Sequence, residues 1–93
     1  MTLYRCAPAI VWVKDVGQTL LVAQERGQWW ALRGVEATIW DLLTLHYSFE
    51  QIVGFLTELL GLSGEEVMQR LLAVIRRWEQ AGIVCPLEGE GSG

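Results

Sequence analysis

The sequence predicts an α+β domain in which a three-stranded antiparallel sheet is followed by three helices. Three observations carry this prediction. Short runs of β-branched and aromatic residues, separated by glycine-containing turns, fill the first third of the chain. After Gly34 the hydrophobic period becomes helical. Ser-led capping signals and helix-ending glycines then divide the remainder into three helices.

The predicted sheet is a meander of residues 9–14, 18–25 and 28–33. DVGQ at 15–18 forms the first turn, and Arg26-Gly27 forms the second. Connections this short join only neighbouring antiparallel strands. Strand 28–33 is therefore expected to be an edge of the sheet.

The edge strand contains two adjacent tryptophans, Trp29 and Trp30. Successive side chains of a strand point to opposite faces, so the two indoles cannot enter the same core. We expect Trp30 to face the helices together with Leu32. Trp29 then points the other way, where the simplest alternative to a binding role is packing across the sheet on Trp12 or Val22.

The helical part begins with residues 35–47. SFEQ at 48–51 has the form of a capping box and opens a second helix, which Gly61 ends. SGEE at 63–66 is predicted to be a second capping box, opening a third helix that continues to about Ala81. Strands followed by helices in this order follow the general plan of a winged helix.

The second and third helices have recognisable apolar faces. In the second helix this face consists of Ile52, Phe55, Leu56, Leu59 and Leu60. The third helix has a broader stripe, made of Val67, Met68, Leu71, Leu72, Val74, Ile75 and Trp78. Its breadth suggests contact with more than one layer. Residues 83–86 close a single domain of residues 1–86, and 87–93 are expected to be a flexible tail.

Composition excludes several classes of function. The chain has 93 residues, is 52% hydrophobic and carries a net charge of −4, which indicates one globular domain and argues against a nucleic-acid partner. No apolar run approaches the roughly 20 residues that span a bilayer, and the N-terminus does not resemble a signal peptide. We therefore expect a cytoplasmic protein without a membrane partner. Cys6 and Cys85 are expected to be reduced thiols, with a disulfide as the alternative.

Catalytic signatures are absent from the sequence. His46 is the single histidine, expected to be a surface charge near a helix end, and no cysteine pair suggests a metal site. Nucleotide-binding and nucleophile motifs are also missing. Gly54, inside the second helix, is expected to allow close packing. We predict a protein that is not an enzyme and that has no cofactor or metal.

The unprotected edge strand is the best indication of function. It contains neither proline nor lysine, so its free N–H and C=O groups could pair with an extended peptide. A groove between this edge and the third helix would have an apolar wall, with arginines at its rim. The predicted peptide-binding residues are Gln28, Trp29, Trp30, Ala31, Leu32 and Arg33 of the strand, Val67, Leu71 and Val74 of the wall, and Arg70 and Arg77 of the rim.

Several residues across the chain resemble those of the PqqD-like proteins, the RiPP recognition elements. The resemblance covers about residues 9–85 and rests on Trp29-Trp30-x-Leu32, Gly34, Ile39-Trp40, Leu42-Leu43, Ser48, Leu71-Leu72, Val74-Ile75, Trp78 and Gly82-Ile83-Val84. These small domains bind the leader segment of a ribosomally made precursor peptide. The aromatic pair and the stand-alone length are most similar to the leader-binding proteins of lasso peptide clusters.

The resemblance implies specific partners. A leader, often carrying a Tyr-x-x-Pro element, would join strand 28–33 and dock against the third helix. A separate leader peptidase of the cysteine-protease type and an ATP-dependent cyclase would act on the same precursor. Arg33 stands where the family commonly has Asn, and Arg70 where it often has Asp. These two departures shift the predicted groove charge towards positive.

Three alternatives remain open at this point. The protein could be a PqqD-type chaperone of quinone cofactor biosynthesis. It could be a winged-helix DNA-binding protein that uses Arg70, Arg76 and Arg77, although the net charge is acidic and Lys14 is its single lysine. It could also be a structural subunit whose apolar edge docks permanently on a partner.

Overall fold

The structure, a computed structural model, describes residues 3–86 and consists of two small sheets and three helices. The strands are β1 (Tyr4–Cys6), β2 (Ile10–Asp15), β3 (Gln18–Ala23), β4 (Gln28–Arg33) and β5 (Val84–Pro86). The helices are α1 (Val35–Thr44), α2 (Phe49–Leu60) and α3 (Gly64–Ala81). The tail predicted for 87–93 lies outside the described residues.

The main sheet has the predicted order, β2-β3-β4, with both pairs antiparallel. Its register places Trp12, Leu21 and Trp30 in one row across the sheet. The predicted α+β fold with a three-stranded meander and three helices is thus confirmed. Strand β3 ends at Ala23 rather than at residue 25, because residues 24–26 form a single 3₁₀ turn before β4.

The first helix ends at Thr44, three residues earlier than predicted. His46 adopts a left-handed conformation with φ of 68°, which a continuing helix does not allow. Its N–H donates to the carbonyl of Leu43, and the N–H of Tyr47 donates to the carbonyl of Leu42. These bonds satisfy the final carbonyls of α1 and redirect the chain into α2.

A second sheet, β1–β5, was not predicted from the sequence. Cys6 pairs with Val84 and Arg5 pairs with Cys85. Strands of three residues are too short for a hydrophobic period to be recognised. The two cysteines therefore lie in adjacent strands, although they are far apart in sequence. Their register differs by one residue, so their side chains project from opposite faces of the ribbon, and both thiols are free.

The N-termini of α2 and α3 are capped by serine side chains. Ser48 forms a complete capping box with Gln51, and its side chain is fully buried. Ser63 accepts a hydrogen bond from the Glu66 N–H at 3.2 Å, but the carboxylate of Glu66 pairs with Arg70 instead of returning to the cap. The second predicted capping box is thus only half formed, because Arg70 lies one turn along the helix and competes for the carboxylate.

Some predicted apolar-face positions are exposed. Phe55 and Leu59 of α2 and Met68 of α3 each expose more than two fifths of their surface. Gly54 is also exposed, and a Cβ atom there would meet nothing within 4 Å. The prediction of a close-packing glycine is therefore wrong, because this side of α2 faces solvent.

The core lies between the inner face of the main sheet and the helices. Trp40 of α1 is fully buried and packs edge-on against Trp12 of β2 and Trp78 of α3, with ring centroids 5.9 and 5.7 Å apart. Each such contact contributes about 0.5–1.5 kcal/mol beyond the buried area. This cluster joins the sheet, α1 and α3, and it fixes where α3 lies relative to the strands.

Candidate peptide-binding groove

The outer edge of β4 is open. β4 pairs with β3 along its whole length on one side, and among residues 3–86 no strand pairs with its other side. In an antiparallel strand, alternate residues direct their N–H and C=O groups away from the existing partner. β4 therefore offers a row of backbone donors and acceptors to an extended chain.

Gly34 joins this edge directly to α1. Its φ of 58° and ψ of −129° lie in a region that side chains with a Cβ atom rarely adopt. The sharp turn lets α1 begin immediately after β4, so that Glu36, in the first turn of the helix, stands beside the strand. A glycine here is therefore required by the backbone rather than by crowding, because a Cβ atom would meet nothing within 4 Å.

A groove of about 300 Å³ separates β4 from the C-terminal half of α3. We call it the strand groove. Residues of β4, the first turn of α1 and the last turns of α3 line it: Trp30, Ala31, Leu32, Glu36, Arg77, Trp78 and Ala81. Its floor is apolar, because Leu32 and Trp78 are buried members of the core. An added strand on β4 would lie along this groove.

Arg26 links two residues that line the strand groove, Trp30 and Ala81. Its guanidinium donates to the carbonyl of Ala81 at 3.0 Å, and it lies 5.8 Å from the centroid of the Trp30 ring. It also approaches Gly82, where a Cβ atom would stand 3.3 Å from the guanidinium nitrogens. Arg26 thus ties the turn before β4 to the C-terminal end of α3 and holds Trp30 at the groove.

A second cavity of about 370 Å³ adjoins the strand groove at Glu36. We call it the helix cavity, because it lies among α1, the end of α2 and the N-terminal half of α3. Its lining consists of Val35, Glu36, Ile39, Leu56, Leu60, Leu62, Val67, Arg70, Leu71 and Val74. Eight of these ten side chains are aliphatic, so the cavity suits an apolar side chain.

The predicted groove is therefore two adjoining sites rather than one. Val67, Leu71 and Val74 were expected to form the wall beside β4, but they line the helix cavity. The wall of the strand groove is instead formed further along α3, by Trp78 and Ala81. The reason is that α3, with 18 residues, is about 27 Å long, and its N-terminal half packs on α2.

The two predicted rim arginines already have partners within the chain. Arg77 forms an ion pair with Glu36, and Arg70 pairs with Glu66 at 3.0 Å. The rim is consequently less positive than the sequence suggested. All four side chains are more than one third exposed, and exposed pairs of this kind are worth about 0–1 kcal/mol. A peptide group could therefore replace either partner at low cost.

Only three of the six predicted strand residues line the strand groove. Trp30, Ala31 and Leu32 line the strand groove, whereas Gln28, Trp29 and Arg33 line neither cavity. The Trp29 indole lies on the far face of the sheet, in the same row as Val22. Trp12 lies on the inner face, so packing of Trp29 on Trp12, one of the predicted alternatives, does not occur. Arg33 donates to the side chain of Gln18 at 3.1 Å.

Several lining residues were missed by the sequence analysis. Trp78 and Ala81 follow Val74 and Arg77 at helical spacing, so extending the stripe along α3 would have found them. Glu36, which lines both cavities, gives no comparable signal, and neither does Arg26, which contacts the lining residues Trp30 and Ala81. Each makes a side-chain contact with a residue more than 40 positions away.

Other kinds of site find no support in the part of the chain that the structure describes. No group of three or more His, Cys, Asp or Glu residues within 3–86 could hold a metal ion. None of the helices formed by these residues is long and apolar enough to cross a membrane.

Comparisons with known proteins agree with this fold. The family described as Coenzyme PQQ synthesis protein D (PqqD) matches residues 18–84. A solved structure described as "TbiB1 in Complex with the TbiA(beta) Leader Peptide" superposes with a TM-score of 0.83. That similarity covers 91% of this chain and 95% of the TbiB1 chain, at 21% sequence identity. No curated protein is significantly similar in sequence.

Proposed function

Since the chain belongs to the PqqD family, we propose that it is a non-catalytic adaptor for the leader segment of a ribosomally synthesised precursor peptide. The leader adds as a strand to β4, beside α3. The adaptor then presents the precursor to a leader peptidase of the cysteine-protease type and to an ATP-dependent cyclase. The pathway we propose is lasso peptide biosynthesis.

One observation carries this proposal: the unpaired edge of β4 borders a groove with an apolar floor. Backbone pairing on such an edge supplies affinity, and alternate side chains entering neighbouring pockets supply specificity. The strand groove and the helix cavity provide two such pockets. The solved complex of TbiB1, which shares this fold, is described as containing a leader peptide.

The energetics require more than one anchor. An aromatic side chain that buries about 150–200 Å² contributes roughly 4–5 kcal/mol before costs. Ordering a disordered leader costs about 2–5 kcal/mol or more. Two apolar anchors, one in each cavity, together with the backbone bonds, would therefore be needed for micromolar binding. A Tyr-x-x-Pro element supplies two such groups.

Replacing Val74 with Glu tests the helix cavity. The carboxylate would enter an apolar lining, so we expect leader affinity to fall at least about tenfold. Val74 is only half-buried, and helicity should be retained. Met68→Glu is the matched control, because Met68 is an exposed apolar residue on the same helix that lines neither cavity. Fluorescence titration with candidate leaders measures both, and equal affinity of the two variants would contradict the proposal.

A scan of N-methylated leader peptides tests strand addition itself. Methylation removes a backbone donor, and only alternate peptide residues donate to β4. Affinity should therefore fall at every second position within the paired segment. The unmethylated leader is the reference for each peptide. A loss that shows no period of two would exclude pairing with the edge of β4.

The description of the matching family supports a second candidate, a chaperone of quinone cofactor biosynthesis. The same groove would then bind the precursor peptide of that pathway. Titration with both classes of leader separates the two candidates, since the cognate peptide should bind at least about tenfold more tightly. Binding to duplex DNA with a steep salt dependence, and to neither leader, would instead support a nucleic-acid partner.

A further inference from the structure

The main sheet has a second face, which points away from the helices. The register of β2, β3 and β4 arranges the side chains on this face in three rows. We call it the outer sheet face. Its rows are Val11-Val22-Trp29, Val13-Leu20-Ala31 and Asp15-Gln18-Arg33. Two rows are entirely apolar, and the third is polar with opposite charges at its two ends.

The apolar rows are exposed to solvent. Val11 is 54% exposed, Val13 58% and Trp29 68%. Leu20 and Val22, in the central strand, are half-buried by their neighbours. The inner face differs, since Leu21 and Leu32 are almost completely buried. Contiguous exposed apolar surface of this kind usually marks an interaction site in a folded protein.

The outer sheet face is complementary to itself about one axis. A twofold axis parallel to the strands, lying above β3, places β2 of one copy over β4 of the other. Val11 then faces Trp29, and Val13 faces Ala31, so a larger residue meets a smaller one in the second row. Asp15 faces Arg33 at both ends of the polar row. A twofold axis parallel to the sheet but perpendicular to the strands would instead place the apolar row Val11-Val22-Trp29 on the charged row.

We propose that the outer sheet face binds a second copy of this chain and forms a twofold-symmetric β-sandwich. Facing sheets pack about 10 Å apart when their inner faces are apolar, as two of these three rows are. The charge match between Asp15 and Arg33 selects a second copy as the occupant, because the same surface carries both halves of the pair. The strand groove shares only Ala31 with this face, and its other lining residues lie on the inner face of β4, on α1 and on α3, so each copy keeps its peptide site.

The first test places a charge on the twofold axis. Leu20 faces Leu20 of the second copy, so Leu20→Glu brings two carboxylates together and should weaken dimerisation by roughly 100-fold or more. Leu59→Glu is the matched control, because Leu59 is similarly apolar but lies on α2. Sedimentation equilibrium over a range of concentrations measures dimerisation, and circular dichroism confirms that each variant is folded.

The second test uses the charged row. Asp15→Arg should weaken the dimer, because the introduced arginine faces Arg33 of the second copy. Adding Arg33→Asp in the same chain should restore it. A wild-type protein that remains monomeric at all concentrations would overturn the proposal, as would a dimer that Leu20→Glu leaves intact. A third result would also overturn it: a monomeric wild type that binds a modifying enzyme, together with a Leu20→Glu variant that does not. This face would then be the binding surface for that enzyme.

Discussion

Trp29 and Trp30 are adjacent and chemically identical, yet the strand gives them different surroundings. Trp30 lies half-buried at the strand groove under the guanidinium of Arg26. Trp29 is 68% exposed on the outer sheet face. The alternation of side chains along a strand separates them, and this alternation is visible in the sequence. What covers Trp30 is decided by residues far away in sequence, such as Ala81, whose carbonyl holds Arg26 in place.

Cys6 shows how a small tertiary element changes the chemistry of one residue. It lies in β1, a strand that exists because β5 pairs with it. Burial there raises the pKa of the Cys6 thiol from its ordinary value of 9.0 to about 11, to which the nearby Cys85 also contributes. Folding therefore favours the neutral thiol over the thiolate.

This shift predicts a loss of stability at alkaline pH. Above pH 9 the unfolded chain releases the Cys6 proton while the folded chain retains it, so the free energy of unfolding falls between about pH 9 and pH 11. Urea denaturation under reducing conditions at several pH values measures this slope. Cys6→Ala should flatten it, and Cys85→Ala should flatten it less, because burial is the larger cause of the shift. An unchanged slope in Cys6→Ala would contradict the prediction.

At the scale of the element, local signals decide where helices begin and long-range contacts decide which faces are buried. Ser48 and Ser63 cap α2 and α3 at the residues where the sequence predicts caps. The solvent-facing side of α2 was harder to predict, because Phe55 and Leu59 continue its apolar stripe although residues 3–86 leave both of them largely exposed. A hydrophobic period indicates a helix, but it does not indicate the width of the buried face.

Gly54→Ala is expected to stabilise the protein by about 0.5–1 kcal/mol. The position is helical and exposed, and a Cβ atom there meets nothing within 4 Å, so alanine gains its helix propensity without a clash.

Gly34→Ala is the matched control for this change. A Cβ atom there also meets nothing within 4 Å, but φ is 58°, so alanine should destabilise the fold. Thermal denaturation of the two variants gives the sign of each effect. If both substitutions changed the stability equally, an alanine side chain at residue 34 would cause no backbone strain.

At the scale of the whole molecule, one core supports both the sheet and the groove. The Trp12–Trp40–Trp78 cluster places α3 against the inner face of the sheet. Leu32, 3% exposed, belongs to this core while also lining the strand groove. The floor of the strand groove is therefore part of the close-packed interior of the domain.

Leu32→Ala should consequently cost about 2–5 kcal/mol, a large part of the stability of a domain this small. The adjacent residue, Arg33, is exposed, so Arg33→Ala should change the free energy of unfolding by no more than about 0.5 kcal/mol. Urea denaturation of both variants provides the comparison. A Leu32→Ala protein as stable as Arg33→Ala would mean that the inner face of β4 is not part of the core.

The sequence by itself determined the meander, the edge position of residues 28–33, the three helices and the facing of Trp30 and Leu32. Each of these depends on signals within a few residues, namely turn length, hydrophobic period and capping side chains. The tertiary structure alone decided the β1–β5 pairing, the division of the groove into two cavities and the pairing of Arg77 with Glu36. These features join residues distant in sequence, and their positions follow from how α3 packs on the sheet and on α2, which no local pattern encodes.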